Sequence, residues 1–331
     1  MPPAHPVGDL EDVQRVAAYG VLRDGAGRAV LVRASDRSDL HGHWFLPGGG
    51  VDFGEHPRAA VVREVAEETG VDVEVTRLRD VLSDVVDLPH RGRRVHTLRV
   101  VYDLRAAAGR TARAGPGPVP AWTRTLRPEP DGTSDAVRLL DDAAAAALPL
   151  MPFVARVLGL PVPRTPVAGP PARPLPQPAS GGVADLDALH DDALARVQRT
   201  AAYALCLADH RLLLTRLVHS DLWTLPGGGV DHGEDVRDAV VREVREEAGL
   251  PLTIADLLDV DSVRFTGRAP SGRLEDFHGV RVVFTGTVPT DVEPHVVEVG
   301  GSTAEAAWVR LDAVDRIRVA GLVRAALRSL R

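Results

Sequence analysis

One stretch of this chain occurs twice, and an internal duplication constrains the architecture before any single residue is interpreted. The first copy runs Gly49-Gly50-Val51-Asp52-Phe53-Gly54-Glu55 and on through His56 to Arg63-Glu64-Val65-Ala66-Glu67-Glu68-Thr69-Gly70-Val71. The second starts at Gly228 and ends Arg242-Glu243-Val244-Arg245-Glu246-Glu247-Ala248-Gly249-Leu250. Both read G-x5-E-x7-R-E-U-x-E-E-x-G-U, with U apolar. The repeat reaches upstream, where Val13-Gln14-Arg15-Val16-Ala17-Ala18-Tyr19 matches Val197-Gln198-Arg199-Thr200-Ala201-Ala202-Tyr203.

Glycines ahead of Val51 permit positive φ and close approach of the backbone to a ligand. From Pro57 to Thr69 the residues favour a helix, with Pro57 suited to its first turn and Gly70 to its C-terminal stop. At roughly 100° per residue, Val61, Val62, Val65 and Thr69 form one stripe predicted to pack on a core. Glu64, Glu67 and Glu68, at i, i+3 and i+4, are predicted to share a face about 120° away. The second helix repeats this, with Val240, Val241, Val244 and Ala248 inward and Glu243, Glu246 and Glu247 forming its acidic face. Three crowded carboxylates repel one another unless a cation compensates, and hard oxygen donors suit Mg²⁺ or Mn²⁺. Arg63 and Arg242 are placed to pair with a carboxylate and orient it. The plain alternative, a solvated acidic helix face, explains one such cluster but not the whole spacing twice over.

The motif, preceded by Leu-Pro-Gly-Gly-Gly in both copies, resembles the Nudix hydrolase signature at every fixed position. The resemblance spans roughly residues 13–158 and 197–330. It implies an α+β (mixed α/β) fold, in which a mixed sheet lies between helices in each of two domains. It further implies hydrolysis of nucleoside diphosphates linked to another moiety. Metal falls to the Gly49 carbonyl with Glu64, Glu67 and Glu68, and to the Gly228 carbonyl with Glu243, Glu246 and Glu247. Catalytic roles fall to Glu67, Glu68, Glu246 and Glu247. Glu55, Arg63, Glu234 and Arg242 support the clusters. A late-loop carboxylate often assists in this family; Glu129 and Glu298 are the candidates, with Asp135 and Glu305 as competitors and a plain turn as the alternative.

Two other readings stand beside the hydrolase. One is a nucleotide-sensing regulator with one or both domains non-catalytic. The other is an isoprenoid diphosphate isomerase, which needs a reactive site cysteine, whereas Cys206 lies on an early strand. ADP-ribose, a nucleotide sugar, an oxidised nucleoside triphosphate and a dinucleoside polyphosphate are all open as substrates. Pro89 and Pro270, 18 and 20 residues past the motif, do not decide among them.

Elsewhere, strands are predicted at Gly20–Arg23, Ala29–Arg33, Val71–Val75 and Val95–Leu104, with a turn at Asp24–Gly27 and a loop near Asp87–Arg94. The second repeat offers strands at Ala204–Leu207, Arg211–Thr215, Leu252–Ile254 and Val280–Gly286. Trp44 and Trp223 read as core anchors, with a base-lining role as the alternative. His96 and Arg99 match His278 and Arg281, and substrate contact and strand alternation explain them equally. Single helices are predicted over 141–158 and 312–330. Pro161 to Pro178 contains eight prolines and reads as a semi-rigid spacer. The predicted domains are 1–160 and 183–331, joined by a linker at 161–182. A net charge of −7 gives no electrostatic footprint for nucleic acid. One cysteine excludes an intrachain disulfide and points to the cytoplasm. No segment reads as a signal peptide or membrane span. The expected partner is a small-molecule nucleotide, with no obligate protein partner. The second site is predicted to carry more of the turnover, because Trp308 follows its late loop while the first repeat has Pro130 and an Arg/Pro-rich stretch at 105–127.

Overall fold

The computed structural model describes residues 10–107, 120–128, 130, 132–173, 194–218, 220–268 and 274–330. They divide into two compact units, one drawn from 1–197 with 264–277 and the other from 198–263 with 278–331.

In the first unit β1 (Glu11–Leu22), β2 (Ala29–Ala34), β3 (Trp44–Phe45) and β4 (Gly48–Gly50) precede α1 (Pro57–Thr69). Then come β5 (Val73–Leu88), β6 (Arg93–Ala106), β7 (Ser134–Leu140), α2 (Asp142–Ala146) and α3 (Pro152–Leu158). One sheet has the order β4-β1-β6-β5 and the other β3-β2-β7. The first is mixed, because β1 and β6 run parallel while β4 and β5 pair antiparallel to their neighbours. The β1–β2 turn follows from Asp24, whose carboxylate accepts the amides of Ala26 and Arg28. Tyr19, Leu31, Trp44, Leu46, Met151 and Phe153 belong to one core. Trp44 is thus a core anchor.

The second unit repeats the order with β8 (Ala195–Ala208), β9 (Arg211–Leu217), β10 (Trp223–Thr224), β11 (Gly227–Gly229) and α4 (Val236–Ala248). β12 (Thr253–Arg268), β13 (Leu274–Thr287), β14 (Thr303–Arg310) and α5 (Gly321–Ser329) follow. Its sheet runs β10-β9-β8-β13-β12, with β11 on β8 and β14 on β9. Leu205, Leu214, Leu225, Val283, Leu322 and Val323 form its core, with Trp223 packed against it.

The glycine-bounded helix has the predicted limits. His56 caps α1 by accepting the Arg58 amide, and Gly70 closes it at φ 70°. Asp235 and Gly249 do the same for α4. Val61 and Val65 are fully buried, each adding about 1.5–3 kcal/mol by removal from water. Two of the inward positions differ from prediction: Val62 is half-buried and Val241 exposed, while Ala60 and Ala239 are buried instead.

Three further expectations are corrected. β5 and β12 continue far beyond the short strands predicted there; in β5, Asp84 is paired with Arg99, and Asp87 with Arg94 across the predicted loop. The closing helices are broken. In the first unit Leu148–Leu150 interrupts the helix and Leu150 bridges Trp44; in the second a 3₁₀ turn at Leu311–Arg316 is followed by Val319 bridging Trp223. Finally, the described part of the stretch read as a semi-rigid spacer packs on the first unit. Gly169 and Arg173 donate backbone N–H bonds to Asp39 and Asp36, and Ala168 is buried.

Candidate active site

Each carboxylate cluster is assembled by a helix packed against a glycine strand. A Cβ placed on Gly49 would lie 2.4 Å from Glu64 Oε2, and one on Gly228 would lie 2.5 Å from Glu243 Oε2. Absence of that atom is what brings the carboxylate against the backbone. Burial pushes the pKa of Glu64 and Glu243 above the ordinary carboxylate range, against the pull of Arg63 and Arg242.

Arg63 gathers the first cluster. Its Nη2 donates to Glu55 Oε2 at 2.8 Å and to the Gly50 carbonyl at 3.1 Å. Its Nη1 donates to Glu64 at 2.8 Å and to Glu67 at 3.3 Å, so one cationic nitrogen bridges two of the predicted ligands. Arg242 repeats this with Glu234, Gly229, Glu243 and Glu246 at 2.8, 2.9, 2.8 and 3.3 Å. Burial raises the pKa of Glu55, but hydrogen bonds from Arg63 and from the Asp52 amide outweigh it and hold the group below its ordinary value. The guanidinium of Arg63 is correspondingly shifted further up by these bonds, Glu55 first.

The last glutamate of each motif is the buried member of the predicted acidic face. Glu68 and Glu247 are 6% and 4% exposed. Glu68 Oε2 accepts the Gly48 amide at 2.9 Å and Oε1 accepts the Ser134 hydroxyl at 2.6 Å. Glu247 accepts the Gly227 amide at 2.9 Å, the Thr303 hydroxyl, and more distantly Thr215 at 3.5 Å. Helical projection contains the signal, since Glu68 falls within about 20° of Val61 at 100° per residue. Burial raises the pKa of Glu247 to about 7, the hydrogen bonds from Thr303 and Gly227 opposing it.

Among the described residues no three His, Cys, Asp or Glu side chains converge as a ready-made metal shell. The donor set nevertheless fits a divalent cation. Glu64 and Glu67 already converge on one positive nitrogen, and all the candidate ligands are hard oxygens.

A cleft of about 390 Å³ in the first unit opens on Gly48–Gly50, Glu64 and Glu68. Leu40, Phe45, Val86, Leu88 and Val95 supply apolar lining, while Arg15, Arg37, Arg91 and Arg99 supply positive charge. Arg99 is fixed there by both oxygens of Asp84 at 2.9 Å and by the Tyr19 hydroxyl at 2.9 Å. Arg281 pairs likewise with Asp261. His96 and His278 lie deeper: both are buried, and His278 is bonded to Gln198 and Ser262 at 3.0 and 2.9 Å. The sequence pointed to Arg99 but not to its partners Tyr19 and Asp84, nor to a role for Ser134 and Thr303.

Glu298 is brought to the second cluster. Its amide and that of Val297 donate to the Glu246 carbonyl at 3.0 and 2.9 Å, and its charge adds to the upward shift on Glu243 and Glu247. Glu129 lies outside the described residues. The competitors are occupied elsewhere, Asp135 by Arg33 at 2.7 Å and Glu305 by Arg216 at 3.0 Å. Cys206 is buried, its thiol pushed up by burial to about 12, which makes it unsuited to be a site nucleophile.

The NUDIX domain family model matches residues 13–133 and 197–328. A MutT-like protein of Streptomyces ambofaciens is 32% identical over 132 residues, which cover 38% of this chain and 75% of the relative. Nucleoside triphosphatase NudI of Salmonella typhimurium is 35% identical over 92 residues, covering 27% of this chain and 61% of that protein, less than two thirds of its length. A crystal structure of a MutT NUDIX hydrolase from Burkholderia pseudomallei aligns with TM-score 0.34 and 31% identity, over 41% of this chain and all of the other. Two matched segments, each carrying the full glycine–carboxylate geometry, establish that this chain belongs to the NUDIX family and is a Nudix-type pyrophosphohydrolase with two copies of the domain.

Proposed function

We propose that the chain hydrolyses the pyrophosphate bond of a nucleoside diphosphate linked to another moiety, using Mg²⁺ or Mn²⁺. The carrying observation is the cleft that places Glu64 and Glu68 beside an apolar wall and an arginine-rich rim. That wall suits a base, and the arginines suit phosphate oxygens. Glu64, Glu67 and Glu68 with the Gly49 carbonyl would hold the cation, as would Glu243, Glu246 and Glu247 with the Gly228 carbonyl. When bound, the cation neutralises pyrophosphate charge and lowers the pKa of the attacking water. Arg63 and Arg242 keep the carboxylates gathered where they would hold the cation, while Glu55 and Glu234 anchor the arginines. Glu298 adds a further carboxylate to the second site. The similarity to a protein named nucleoside triphosphatase supports a nucleotide substrate.

We further propose a cytoplasmic enzyme whose two domains fold separately, with the second site carrying more turnover through Glu298. The test is a panel of ADP-ribose, nucleotide sugars, oxidised nucleoside triphosphates and dinucleoside polyphosphates, with Mg²⁺ and with Mn²⁺, followed by product identification. Glu68→Gln and Glu247→Gln single variants on the turned-over compound then apportion the sites. Loss confined to Glu68→Gln would reverse the assignment of the stronger site, and turnover without divalent cation would overturn the reading.

A further inference from the structure

We infer that Ser134 and Thr303 are positioning residues for the reaction, holding the last glutamate of each motif in the orientation that its work requires. This rests on the roles proposed above for Glu68 and Glu247. The observation is the same construction built twice. Ser134 and Thr303 open the last strand of their repeats, and each lies at a register irregularity in its ladder, at Arg33/Ala34 in one and Thr303/Glu305 in the other. Such bulges re-aim a side chain. Here each hydroxyl is buried and donates to the buried carboxylate, at 2.6 Å for Ser134. On the carboxylate's other oxygen sits the amide of the motif's leading glycine strand, at 2.9 Å in both repeats.

Two fixed donors on two oxygens leave the carboxylate no free rotation about its last torsion. Neither amide nor hydroxyl is in the motif spacing, and the hydroxyl comes from more than 50 residues away along the chain, |i−j| being 66 and 56. Chemistry requires only a hydroxyl there, which is why serine serves in one repeat and threonine in the other. The second repeat adds Thr215 on the neighbouring strand where the first has Val32, both paired with the residue that follows the tryptophan.

The test uses the full chain with one site silenced, and Mn²⁺ alone as the probe. Ser134→Ala and Ser134→Thr are made with Glu247→Gln, and Thr303→Ala and Thr303→Ser with Glu68→Gln. Mn²⁺ binding is followed by electron paramagnetic resonance, and thermal unfolding of the chelator-treated protein is recorded beside it. Loss of the hydroxyl is expected to weaken Mn²⁺ binding roughly 10- to 100-fold, with the hydroxyl-retaining swaps within about threefold of their parents. Turnover on the panel substrate should fall in kcat more than in KM. Unchanged Mn²⁺ binding in the alanine variants would overturn the inference, as would equal weakening by both kinds of substitution. Should Ser134→Ala not fold, Ser134→Cys keeps the volume and weakens the donor in its place. Failure of the underlying reading is separately visible: Glu247→Gln would then bind Mn²⁺ no better than the Glu68→Gln/Glu247→Gln double variant.

Discussion

Gly48, Gly49 and Gly50 are neighbours with different surroundings, two of which exclude a side chain, and alanine at each should give three different outcomes. At Gly49 an added Cβ meets only the Glu64 carboxylate, at 2.4 Å, about 0.6 Å inside the 3.0 Å floor for real Cβ contacts. The obstructing atoms are the tip of a side chain, so the fold accommodates the change by swinging Glu64 outward. A displacement approaching 1 Å costs on the order of 100-fold in rate. Stability should move by less than about 1 kcal/mol, since alanine also restricts the unfolded chain. At Gly48 the Cβ would meet the Ala18 carbonyl oxygen at 2.2 Å, with φ at 141°. Backbone cannot yield as a side chain does, and the cost is on the order of 3 kcal/mol or more. At Gly50 nothing lies within 4 Å, so alanine should be nearly silent. Paired substitutions (Gly49→Ala with Gly228→Ala, and so on) cover both sites, with urea unfolding and steady-state turnover as the assays. Full activity in the Gly49→Ala/Gly228→Ala protein, or equal loss in the Gly50→Ala/Gly229→Ala protein, would refute the reasoning.

Other consequences can be measured on the same material. Glu247 has a folded pKa of about 7, above the roughly 4.3 of an unfolded glutamate. Its contribution to stability is therefore complete below about pH 4.3 and is lost as pH rises through about 7, by up to about 4 kcal/mol. Metal-free protein should accordingly lose stability between pH 5 and 8 by urea unfolding, and Glu247→Gln should flatten that slope; a slope unaffected by the substitution counts against the assignment. The fragment 1–173 should be more stable than 1–160 by about 1–2 kcal/mol, because it keeps the Gly169 and Arg173 bonds to the Asp36–Asp39 loop. Equal unfolding midpoints for the two fragments would show that the proline-rich segment does not brace that loop.

The motif helix was legible because its signals are local. Pro57 at the start, Gly70 in the left-handed region at the end and apolar spacing between them are all read from neighbours in sequence. Grouping Glu68 with Glu64 and Glu67 on one acidic face missed its burial, because a formal charge outweighed its projected position beside Val61. What makes that burial tolerable, the Gly48 amide and the Ser134 hydroxyl, is visible only after the chain has folded. The long reach of β5 was hidden for the same reason, its acidic residues being answered by arginines on β6. Leu148–Leu150 was different: Pro149 was in plain view as a helix breaker and predicted the interruption that 141–158 ignored.

The central claim, hydrolysis at the motif carboxylates, is tested most directly by Glu68→Gln combined with Glu247→Gln in the full chain. Glutamine keeps the shape and still accepts the Gly48 or Gly227 amide, while the serine or threonine hydroxyl can turn to accept from the new NH₂ group. The double variant should therefore fold, and at neutral pH be at least as stable as the metal-free wild type. Turnover of the panel substrate with Mg²⁺ or Mn²⁺ should fall at least about 100-fold, a loss of some 3 kcal/mol of transition-state stabilisation. A folded double variant with full metal-dependent turnover would contradict the account.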